Sequence, residues 1–99
     1  MRLKDGVDLT GVSWRMFHAA VVAEAVYAKY NAELVITSAR DGKHSARSLH
    51  YEGLALDLRT RSLMREDVPR VVADMKAALG DDYDVVLESD HIHLEFDPS

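Results

Sequence analysis

An α+β domain follows from three features of the chain. Apolar residues recur at helical spacing over roughly 13–30 and again over 68–79. Two short segments, 53–59 and 91–96, alternate apolar and polar residues as half-buried strands do. Finally, only a short stretch holding the tight turn Ser89-Asp90 separates the last two strand-like segments, so they are close enough to form a hairpin, and the sheet is at least partly antiparallel. The expected architecture is a mostly antiparallel sheet packed against two helices, in one domain over residues 1–99.

Taken in order, residues 1–10 are polar and read as a loop or short turn. Ser13 is a plausible N-cap for a helix running to about Tyr30, with Trp14, Phe17, Val21, Val22, Ala25 and Val26 on a broad buried face and Asn31 near its end. Glu33–Ser38 is rich in β-branched residues and predicts a strand. A long polar stretch, 39–49, follows, and loops of that length in small domains are usually functional. Gly53–Arg59 predicts the second strand. Glu66, Asp67 and Pro69 mark a helix start, Val68, Val71, Val72, Met75, Ala78 and Leu79 carry the helical period, and Gly80 is a good stop. Tyr83–Leu87 and His91–Phe96 complete the sheet.

Composition narrows the function classes. The chain has 99 residues and a formal net charge of -5. Nucleic-acid binding, which needs a basic face, is therefore not expected. The absence of cysteine excludes disulfides, cysteine-ligated zinc and thiol catalysis. No apolar run has membrane-spanning length, and the N-terminal residues lack the apolar centre of a signal peptide. The expected location is the cytoplasm, or the exterior after lysis, with no membrane partner; composition leaves the oligomeric state open.

Strand parity singles out a candidate site. Successive side chains on a strand point to opposite faces. Leu54, Leu56 and Leu58 share one face of the second strand, and Gly53, Ala55 and Asp57 the other. In the last strand Ile92, Leu94 and Phe96 oppose His91, His93 and Glu95. If the two strands are neighbours, Asp57 and His93 can meet on the polar face, with His50 folding over it from just before its strand. Gly53 and Ala55 would then leave room for a metal and a substrate. Two imidazoles and a carboxylate are the ligand set of a catalytic zinc site with a fourth position open for water. Asp90 is a candidate general base for that water, with Glu88 as the alternative, and His91 is placed to assist an oxyanion or to hold a carboxylate. Isolated strand aspartates and His-x-His pairs are common on solvated surfaces. Here the same parity holds on two strands and the residue types suit one metal, and that combination favours a site.

The motif residues resemble the zinc D-alanyl-D-alanine carboxypeptidase and L-alanyl-D-glutamate endopeptidase family, which shares a fold with the Hedgehog signalling domain. Its pattern is Ser-x-His-x-x-Gly-x-Ala-x-Asp, followed by an acidic residue, two variable positions and His. Ser48, His50, Gly53, Ala55 and Asp57 fill the first part, and Asp90 and His93 the second. The resemblance implies a zinc metallopeptidase with His50, Asp57 and His93 as ligands, Asp90 as acid/base, His91 assisting and Ser48 as a neighbouring hydrogen-bonding residue. It also implies an upstream arginine on the substrate: Arg40, or alternatively Arg47. His44 reads equally as a cleft residue or an ordinary loop histidine. The implied substrates are stem peptides of peptidoglycan, as for small bacteriophage endolysins of cell-wall degradation. The alternative is a zinc-binding domain of this fold without peptidase activity, serving an interaction.

Overall fold

The computed structural model describes residues 1–40 and 52–98. His44, Arg47, Ser48 and His50 lie outside the described residues, as does most of the polar stretch expected to be a functional loop. The architecture is the expected α+β one. A five-stranded sheet has the order β1-β2-β3-β5-β4, with β1 at Arg2–Leu3, β2 at Val35–Ser38, β3 at Ala55–Arg59, β4 at Tyr83–Leu87 and β5 at His91–Phe96. All neighbouring strands are antiparallel except β1 and β2, which are parallel. Helices α1 (Trp14–Lys29) and α2 (Val68–Leu79) contribute to a common core with the sheet.

The apolar sides of β3 and β5 make the centre of that core. Leu56, Leu58, Ile92 and Leu94 are all buried, and they meet Met16, Ala19, Ala23 and Tyr27 of α1 and Val71 and Met75 of α2. Tyr27 is anchored there by its hydroxyl, which donates to the Arg59 carbonyl at 2.8 Å, and burial pushes its phenol well above the ordinary value. The site-bearing strand is thereby fastened to α1 from its covered side.

Helix α1 starts where its sequence predicts. The Ser13 hydroxyl accepts from the Arg15 amide at 3.2 Å, and the helix stops before Asn31, which adopts a left-handed φ of 57°. Its buried face differs from the expected one. Met16, Ala19, Ala20, Ala23, Val26 and Tyr27 face inward, whereas Trp14, Phe17 and Val21 are 68%, 46% and 60% exposed and Ala25 is also exposed. Apolar residues surround this helix, so periodicity alone does not choose a face. The alanine stripe lets the helix backbone come close to its neighbours, and the bulkier side chains are left outside.

Two further differences are local. Residues 2–3, expected in a polar loop, form β1 through backbone bonds, with Arg2 N donating to Leu34 O and Lys4 N to Ile36 O, both at 2.9 Å. Two residues are too few for alternation to show. A short 3₁₀ turn, Arg65–Asp67, precedes α2, whose first turn holds Pro69 and whose end is closed by Gly80 at φ 80°. Among the described residues no helix is long and apolar enough to cross a membrane.

Candidate metal centre

Strands β3 and β5 are neighbours, and their register sets Asp57 directly opposite His93. The pair is flanked on one side by Arg59 opposite His91 and on the other by Ala55 opposite Glu95. Because these positions alternate with the buried leucines and isoleucine, all six belong to the sheet face turned away from the core centre.

The side chains form one connected line. Asp90 Oδ1 lies 2.7 Å from His91 Nδ1, and His91 Nε2 lies 3.7 Å from Asp57 Oδ1. Asp57 Oδ1 is 3.0 Å from His93 Nδ1, and His93 Nε2 is 3.0 Å from Glu95 Oε1. Exposure grades along the line. The Asp57, His93 and Glu95 side chains are largely covered, whereas that of Asp90 is 86% exposed. A covered imidazole between two carboxylates is stabilised in its charged form. The hydrogen bond with Asp57 raises the His93 pKa above the ordinary histidine value, and Glu95 adds to this, while desolvation opposes it. At the solvent end, the His91 ring beside Asp90 holds that carboxyl below the ordinary aspartate range.

Asp57 and His93 could hold a metal ion on this face. An imidazole and a carboxylate converge within hydrogen-bond distance, which is the donor chemistry zinc prefers. The other ring nitrogen of His93 meets Glu95, as in histidine ligands whose second nitrogen is fixed by a carboxylate. Metal binding here must displace the proton that Asp57 and Glu95 favour on His93, so zinc and proton compete for the same ring. The third expected ligand, His50, lies outside the described residues, as does Ser48.

Glu95 has no counterpart in the metal-binding pattern read from the sequence. Its signal was present nonetheless: a carboxylate two residues beyond a histidine on a strand lies on the same face. Asp84, opposite Glu95, and Asp97 can bring carboxylate oxygens within 4.8 Å of it and of each other. Asp84 and Asp97 are exposed, and this all-oxygen group lacks the imidazoles of the zinc set.

The expected roles of Gly53 and Ala55 need correction. Gly53 has φ +73°, and a Cβ there would run into the Gly11 carbonyl; its own carbonyl accepts from Ser13 N at 2.8 Å. The glycine serves close packing of the 11–13 segment rather than clearance for a metal. Ala55 is fully buried, so protein fills the space beside it. Arg40 is exposed, its guanidinium donates to the Thr10 carbonyl at 3.1 Å, and a Cβ on Gly11 would collide with it. Since β2 runs antiparallel to β3 with Ser38 opposite Asp57, the chain leading to Arg40 leaves toward the Ala55 end.

No protein-family model and no curated protein matches the chain.

Proposed function

We propose that the protein is a zinc-dependent peptidase that hydrolyses stem peptides of peptidoglycan or related peptides containing D-amino acids. The observation that carries this reading is the register that sets Asp57 against His93, with His91 and Asp90 connected to the same pair. The motif that spans Ser48–Asp57 and Asp90–His93 supports it independently.

In this reading His50, Asp57 and His93 hold the metal. When bound, zinc supplies a Lewis acid and lowers the pKa of water from ~16 toward ~7. Glu95 fixes the orientation of the His93 ring. Asp90, whose carboxyl the His91 ring holds below the ordinary aspartate range, accepts a proton from the attacking water and later returns one to the leaving amine. His91 holds that carboxylate through Nδ1 and presents Nε2 toward Asp57. Its largely exposed position gives Asp90 access to a substrate lying across the sheet face.

Metal content and stem-peptide digestion, measured on wild type, His50→Ala and Asp90→Ala, test the proposal. Wild type should carry one zinc and cleave, His50→Ala should lose both, and Asp90→Ala should keep zinc and lose turnover. Zinc without turnover on any stem peptide would leave a metal-binding interaction domain. Protein that takes up no zinc would end the reading.

A further inference from the structure

A groove of about 650 Å³ opens beside the Asp90–His91 end of the line. Lys4 reaches it from just after β1, Thr37 from β2, Arg59 from β3, Arg61 from the segment after β3, Asp90 from just before β5 and His91 from its start. It gathers three cations against one carboxylate, in a chain whose net charge is -5. Among the described residues none of the three cations forms an ion pair or a side-chain hydrogen bond. Arg65 and Lys76 also lack an ion pair or side-chain hydrogen bond among the described residues, but five other basic side chains are engaged. Arg2 pairs with Glu33, Lys29 with Asp74 and Arg70 with Asp67; Arg15 lies over the Trp14 and Phe96 rings, and Arg40 donates to Thr10. Three cations that have no ion-pair partner among the described residues repel each other across one concavity, a cost that an anionic ligand would offset.

The position is as informative as the charge. Arg59 lies one cross-strand row beyond Asp57, opposite His91. Two residues along a strand span roughly 7 Å. A peptide with its scissile carbonyl over the Asp57–His93 row would therefore bring a carboxylate on the adjoining residue within reach of the Arg59 and Arg61 side chains. Guanidinium groups suit that partner, because their planar fork meets a carboxylate with two parallel hydrogen bonds. Arg40, the cation expected for this task, is tethered to the 8–11 segment toward the opposite end of the row.

We propose that the Lys4–Arg59–Arg61 groove binds a substrate carboxylate on the residue next to the cleaved bond; this deepens the peptidase reading and rests on it. The carboxylate is either the free C-terminus of the substrate or an acidic side chain, and the two sources are separable by experiment. Binding is measured by titration calorimetry on the full chain carrying Asp90→Ala, so that no probe is consumed. One probe pair is N-acetyl-D-alanyl-D-alanine and its C-terminal amide. The other is L-alanyl-D-isoglutamine, whose only carboxylate is on the side chain, and its γ-amide. The acid of one pair should bind about 10- to 100-fold more tightly than its amide, and that pair identifies the source. The preference should fall to near unity when Lys4→Gln and Arg61→Gln are combined. Both positions are exposed, so folding is preserved, and Arg59→Gln provides a second measurement in the central strand. Absence of preference in both pairs, or a preference that survives the Lys4/Arg61 double change, overturns the proposal. Turnover and zinc content of the parent protein are read separately. A carboxylate preference without turnover would sink the peptidase reading and reduce the groove to a carboxylate-binding site with no substrate role, and turnover without the preference would sink the groove alone.

Discussion

The two faces of the β3–β5 pair are made from alternate residues of the same ten or so positions, yet they follow opposite rules. On the covered face Leu56, Leu58, Ile92 and Leu94 are removed from water and satisfied by packing alone. On the other face Asp57, His93 and Glu95 are also largely covered, but each polar group there has a partner. Among the described residues no buried side-chain nitrogen or oxygen lacks a hydrogen bond. The apolar face tolerates changes that keep volume, because its energy depends on area and fit. The polar face does not, because removal of one member strands the next. Stability should therefore be concentrated on one face and chemistry on the other.

The sharpest break of that contrast is Asp57→Ala. It should eliminate zinc uptake and reduce stem-peptide turnover to background, while near-UV circular dichroism remains native. Loss of the native spectrum would show that the line of polar groups supports the fold as well. Leu58→Ala, one residue away on the covered face, should do the reverse. It should cost about 2–5 kcal/mol in urea unfolding and leave the zinc stoichiometry of the folded protein unchanged. Glu95→Gln lies between the two. With its carboxylate gone, His93 loses an orienting partner, and zinc affinity should weaken by roughly 10–100-fold in competition with a chromogenic chelator, with little change in unfolding. Unchanged affinity would leave Glu95 without a part in the site.

The smallest effect is expected far from either face. Asp74 accepts from the Tyr30 hydroxyl at 2.6 Å and from Lys29 Nζ at 3.0 Å, and these bonds, Tyr30 first, lower its pKa below 3.8. A depressed carboxyl pKa contributes stability above the unfolded value and loses it as pH falls through the folded one. Wild type should therefore be more stable than Tyr30→Phe at neutral pH, with the gap closing as the pH drops below 3.8. A gap that stays constant in thermal unfolding across that range would mean that the hydrogen bond is not what lowers the Asp74 pKa.

Much of the molecule is legible from sequence because short-range rules suffice. Alternation in 53–59 and 91–96 assigns Leu56, Leu58, Ile92 and Leu94 to one side and Asp57, His91 and His93 to the other without reference to the rest of the chain. The Ser13 cap and the Gly80 stop are similarly local. Helix α1 shows where such rules fail: with apolar residues on every side, only packing decides that Ala19, Ala20 and Ala23 go in and Trp14 and Phe17 stay out. Gly53 is instructive in the same way. Its place in the motif suggests clearance for a ligand, but its positive φ and its contact with Gly11 depend on a segment forty residues earlier.

Side-chain parity, and with it the chemical identity of each face, is therefore a property of the sequence, because the backbone pleat imposes a period of two wherever a strand forms. Which strands lie side by side is not, since pairing depends on contacts between residues distant in the chain. The placement of β3 beside β5, in the register that joins Asp57 to His93, is a tertiary result. So is the convergence of Lys4, Arg59 and Arg61, which are separated by as many as 57 positions and share a groove only because β1, β2, β3 and β5 lie in that order across one sheet.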